Sequence, residues 1–115
     1  MSWSLHLDGA EDFESPVDGH TYNLNAMWRL AGVIKDQPYE LNGERAATIG
    51  MRAATGLLRA VTKPEEFRKL NPENGWGDYE GFVKVLTKLA IACADNPESI
   101  AEFYGQEETC PRIFS

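Results

Sequence analysis

Residues 71–81 read Asn-Pro-Glu-Asn-Gly-Trp-Gly-Asp-Tyr-Glu-Gly and set Trp76 between two glycines, directly ahead of an amphipathic stretch. Gly75 and Gly77 free the backbone to take positive φ angles or to approach another group closely, while Trp76 offers a large apolar face with one donor. Two roles follow from these residue types. In one, Asn71 and Asp78 cap helix ends and Trp76 folds back as a lid on the core. In the other, Asn74, Trp76, Asp78 and Tyr79 present aromatic and amide groups to a ligand or partner. Tyr22, Asn23, Asn25 and Trp28 form a second cluster of the same composition, which a helix cap and a core-facing indole explain as well. Whether the two clusters meet in space, and whether Trp76 faces water, decides between the roles.

A third candidate is the arginine series Arg45, Arg52 and Arg59, whose seven-residue repeat places the side chains about 10 Å apart along one helical stripe. Guanidinium groups in a row suit a phosphate-bearing ligand or an acidic protein surface. The plainer account is a solvated face balanced by acids from elsewhere. Catalytic signals are sparse: His6 and His20 lie near Asp8 and Asp18, but no Ser or Cys nucleophile sits in a recognisable elbow beside them. HExxH, P-loop and GxGxxG patterns are absent. Cys93 and Cys110 are too few for a structural zinc site unless both histidines converge on them, so neither metal nor cofactor is expected, and Cys93 reads as a small buried hydrophobe. The chain is expected not to be an enzyme.

The elements that must position these residues come from one domain: 115 residues with 43% hydrophobic and 25% charged content suit a single core. The net charge of −7 is unevenly spread. Residues 1–44 hold eight acids against Arg29 and Lys35, whereas residues 45–63 hold four bases and no acid. Such a field disfavours duplex nucleic acid and anionic membranes. No apolar run is long enough to span a bilayer and the N-terminal residues carry no leader pattern, so a cytoplasmic location is expected.

Trp3, Leu5 and Leu7 alternate with Ser4, His6 and Asp8, which predicts a half-buried strand with His6 toward water. Residues 9–20 read as a solvated loop. Leu24, Met27, Trp28 and Ala31 share a face of a short helix closed by Gly32, and a connector with Pro38 and Asn42-Gly43 follows. A long helix over residues 44–63 carries an apolar arc so wide that cover on two sides is expected. Pro64 ends it and opens a short helix pinned by Phe67 and Leu70. After the 71–77 loop, Asp78 caps a helix over residues 78–94, with Glu80 and Lys84 as an exposed pair. After Asp95, Asn96-Pro97-Glu98 suits a helix start while residues 100–104 could equally be a strand, and residues 106–115 read as an irregular tail.

Taken together, the run Thr-Tyr-Asn-Leu-Asn-Ala-Met-Trp at residues 21–28 and the run at residues 71–81 resemble a group of small, mostly uncharacterised proteins of bacteriophages and actinobacteria. The likeness extends from the first strand to about Tyr104, and the second motif is its specific part. It implies that residues 100–104 form a strand beside the N-terminal one. The expected fold is therefore α+β, mostly helical, with a small two- or three-stranded sheet formed near the termini. The group carries no established activity, and the arginine series and the tail are not features of it. The expected function is that of a non-catalytic, phage-type accessory protein that binds a host protein or small ligand and so modulates a host process such as defence. The alternatives are a binder of nucleotides or other phosphate-bearing small molecules, and a structural protein acting through oligomerisation, with the oligomeric state left open.

Overall fold

A computed structural model describes residues 2–8, 16–75 and 77–105. The chain builds a three-stranded antiparallel sheet, order β2-β1-β3, from β1 (Ser2–Leu7), β2 (Val17–Thr21) and β3 (Ala101–Gly105). The helices are α1 (Asn25–Ala31), α2 (Ala46–Thr62), α3 (Pro64–Arg68) and α4 (Tyr79–Asp95). This is the expected α+β arrangement, with β1 as the central strand.

β1 sends Trp3, Leu5 and Leu7 into the core and His6 to the exposed side, as its alternation dictates. β3 lies antiparallel to it, pairing Leu7 with Ala101 and Trp3 with Gly105. The far edge of β3 is covered, because Gly43 donates to the Ala101 carbonyl and the Ala101 N–H donates to that of Glu44. β2 corrects the reading of residues 9–20 as loop throughout: residues 17–20 are strand, while residues 9–15 lie outside the described set. Val17 is a lone aliphatic there, and the strand holds through pairing and one side chain. The Gly19 N–H donates to Ser4 Oγ at 3.0 Å where the ladder between β1 and β2 is irregular.

Thr21 Oγ1 accepts from the Asn23 N–H, starting a 3-10 turn over Tyr22–Leu24 that leads into α1. Neither Asn23 nor Asn25 caps α1: Asn25 is its first residue, and Leu24 precedes it without a side-chain cap. Gly32 ends α1 at φ 85°, the left-handed geometry that a side chain resists.

α2 and α4, 17 residues each, run antiparallel: Gly50 lies against Cys93 at one end, and the Tyr79 hydroxyl reaches the Ala60 carbonyl at the other. α1 crosses the other flank of α2 at Gly56, where an added Cβ would stand 2.7 Å from the Ala31 carbonyl oxygen and 2.8 Å from the Ala31 Cβ. Backbone, not a movable side chain, is in the way. Gly56→Ala is therefore expected to lower stability by about 1–3 kcal/mol through overpacking, even though alanine favours helix by about 1 kcal/mol. A fall in the urea midpoint checks this, and a rise would mean that α1 moves aside at no cost.

One aromatic series links sheet to helices. Trp28, fully buried, meets Trp3 at 5.4 Å, His20 at 5.4 Å and Phe82 at 5.2 Å between ring centroids. Phe82 continues to Phe67 at 5.8 Å, and Phe67 to Tyr79 at 6.4 Å.

Candidate functional site

The two aromatic and amide clusters of the sequence do approach each other. Gly77, at φ 102°, lies so close to Thr21 and Leu24 that an added Cβ would stand 3.0 Å from side-chain atoms of both. The side chains around this junction are spent on structure. Asn71 Oδ1 accepts from the Tyr79 N–H at 2.9 Å, and Asp78 Oδ1 accepts from the Gly81 N–H at 2.8 Å, so both cap α4. Tyr79 is buried, its hydroxyl donating to the Ala60 carbonyl at 2.7 Å and its ring lying 4.7 Å beneath the Arg68 guanidinium. Trp28 is in the core. Tyr22 is half-buried with its ring end against Gly105, and the Asn25 amide points to Gln37 at 3.4 Å. Asn23 and Asn74 are exposed, and Trp76 lies outside the described residues.

Trp28 and His20 form a buried polar contact between β2 and α1. The Trp28 Nε1–H donates to His20 Nε2 at 2.9 Å, which fixes the imidazole as neutral with its proton on Nδ1. Burial pushes the His20 pKa down to about 4. Trp3 Nε1 is buried with no acceptor among the described residues. His20 shares this environment with no nucleophile, and the exposed His6 instead stacks edge-on against Tyr104 at 5.0 Å. Burial lifts the Cys93 thiol to about 11, so it is a poor nucleophile. No group of three or more His, Cys, Asp or Glu among the described residues is placed to hold a metal ion.

The arginine series lines the α1 side of α2. Arg59 Nη1 donates to the Leu30 carbonyl at 2.8 Å, satisfying a carbonyl at the C-terminal end of α1. Arg52 donates to the Val33 carbonyl at 3.2 Å and pairs with Glu44. Arg45 is exposed just before α2. Two of the three guanidiniums thus tie α2 to α1, Arg59 at its C-terminal end and Arg52 at the segment that follows it. Farther on, Glu80 pairs with Arg68 at 3.1 Å where an intrahelical pair with Lys84 was expected. The α3 neighbour brings a guanidinium within reach.

The remaining surface of interest is apolar. Ala47, Met51, Ala54, Leu58 and Val61 recur at four-and-three spacing along α2, and Met51, Leu58 and Val61 are 73%, 63% and 53% exposed. The expected second cover over the wide arc of α2 is therefore only partial: α1 and α4 take its flanks and leave this stripe bare. Beside it a groove of about 280 Å³ runs between the helices, lined by small residues that include Gly50, Ala54, Ala90, Ala94 and Pro97. Ile91, 57% exposed, projects from α4 next to Ala90. Spacing alone does not separate these residues from the core ones, since Ala46, Ile49, Ala53, Gly56 and Ala60 recur along α2 at the same intervals.

Comparison of the chain with protein-family models, with curated proteins and with solved structures returned no match. No helix among the described residues is long and apolar enough to cross a membrane. Isolated exposed aliphatics need no explanation, whereas the row Met51, Leu58 and Val61 along α2 marks a contact surface.

Proposed function

We propose that this chain is a non-catalytic interaction protein whose working surface is the outer face of α2 and α4. The observation that carries the reading is the bare stripe of Met51, Leu58 and Val61 beside a groove lined by small residues. Covering each of those half- to three-quarters-exposed side chains is worth roughly 1 kcal/mol or more. The occupant that suits the face is a helical protein surface, because two helices side by side offer ridges and one groove to a third. The likeness of residues 21–28 and 71–81 to small phage and actinobacterial proteins adds a setting, that of an accessory protein acting on a host process by contact. The junction of Gly77 with Thr21 and Leu24 supports the fold that presents this face.

The test places a photo-crosslinking amino acid at position 58, and in a second variant at position 39, in the full chain expressed in bacterial cells. Leu58 lies on the stripe, whereas Tyr39 is 49% exposed in the turn Pro38–Leu41. Protein adducts are expected from position 58 and not from position 39. Equal yields from both positions, or none from position 58, would overturn the proposal.

A further inference from the structure

We infer that the occupant of this face is a second copy of this chain, packed antiparallel about a two-fold axis that passes Ala54. The inference rests on the reading of the α2 and α4 surface as a docking face and names what docks there.

Self-complementarity is the first argument. A two-fold interface sets each residue opposite its symmetry mate's neighbours, so the face must carry its own knobs and its own holes. Centred on Ala54, the stripe reads outward as Met51 and Ala47 in one direction and Leu58 and Val61 in the other. Antiparallel pairing then places Ala54 against Ala54 at the crossing point, Met51 against Leu58 of the second copy, and Ala47 against Val61. Small residues meet at the axis, where the backbones come nearest, and a small residue meets a larger one at the ends. The exposed Leu58 of each copy is the knob, and the groove lined by Gly50, Ala54, Ala90 and Ala94 of the other is the hole.

Charge is the second. Neither the stripe nor the groove lining contains an Asp, Glu, Lys or Arg, in a chain whose net charge is −7. Docking a copy there strips no ion of water, and it brings no like charges together at the centre of the contact. A strongly basic partner, which the overall charge would attract, finds nothing on this face to pair with.

Area is the third. Helices of 17 residues are about 25 Å long. Set about 10 Å apart, two of them present roughly 500 Å² per copy when the exposed Glu80, Lys84 and Lys88 of α4 are counted with the uncharged stripe and groove, so the dimer buries at most about 1,000 Å², near the lower limit for a specific interface. The expected complex is thus reversible and dependent on concentration.

Sedimentation equilibrium of the purified full chain, from micromolar to millimolar concentration, is expected to show the mass doubling. Leu58→Glu is expected to weaken that association at least tenfold while leaving the urea midpoint nearly unchanged, since Leu58 is 63% exposed and lies outside the core. In a Cys110→Ser background, Ala54→Cys should form an intermolecular disulfide under mild oxidation at least tenfold faster than Thr48→Cys, which projects from another side of α2. A monomer at every concentration, or equal oxidation rates at positions 54 and 48, would overturn the inference. If the purified chain stays monomeric while position 58 still crosslinks to other proteins in cells, the second copy is excluded and the docking face stands. If position 58 yields no adducts either, both fall together.

Discussion

Trp28→Ala is expected to lower unfolding stability by about 3–5 kcal/mol, the range for removing a fully buried aromatic side chain. The indole is the hub of the aromatic series: it joins Trp3 and His20 of the sheet to Phe82 of α4. Truncation leaves a cavity at the centre of both layers and strands His20 Nε2 in an apolar surround, so the cost has a packing part and a polar part. Trp28→Phe separates them. It keeps most of the volume, loses the hydrogen bond, and is expected to cost about 1–3 kcal/mol. Against total stabilities of about 5–15 kcal/mol for domains of this kind, the alanine variant gives up a fifth or more. Urea midpoints of the two variants beside the parent check the order, and equal losses would show that the lost hydrogen bond, rather than the cavity, carries the cost.

The second large effect is a loss of stability on mild acidification, carried by His20. Its pKa is about 4 in the folded state because burial penalises the imidazolium, against about 6.5 for an unfolded chain. The unfolded state therefore binds the proton more readily. Stability from the neutral His20 is fully present above pH 6.5, falls as the pH drops from 6.5 to 4, and is gone below that, a change of about 3 kcal/mol. Protonation would also set the imidazolium N–H against the Trp28 N–H, two donors without an acceptor. Urea midpoints between pH 7.5 and pH 4 should show a steeper decline for the parent than for His20→Gln, which does not titrate. Parallel declines would assign the acid limb to the carboxylates.

Much of the architecture was legible because several local signals agreed. α4 has a capping Asp78, an apolar face at three-and-four spacing, and charged residues opposite, so its bounds and its buried side followed from the chain itself. β2 was not legible: Val17-Asp18-Gly19-His20-Thr21 has the composition of a loop, and its inward position is filled by a histidine that only the Trp28 donor makes acceptable there. The candidate sites suffered from a related ambiguity. Asn beside Trp or Tyr describes a recognition surface and a capped helix equally well, and burial of Trp28 and Tyr79 is a tertiary fact that spacing does not contain. The same holds for α2, where an apolar arc announces that something covers it but not how much. The bare stripe became visible only once α1 and α4 had taken their places on either flank.

The central place of β1 also governs the order in which this chain can acquire its structure. The strand made first is flanked on one side by β2, close behind it in sequence, and on the other by β3, so that Leu7 waits for Ala101. Closing a loop of that length costs entropy that only the finished sheet returns, which slows folding relative to the local pairing of helices. During synthesis β3 is the last of these elements to be made, so until then β1 has β2 as its strand partner. For that interval Trp3 and Leu5 have only β2 and the helices to cover them.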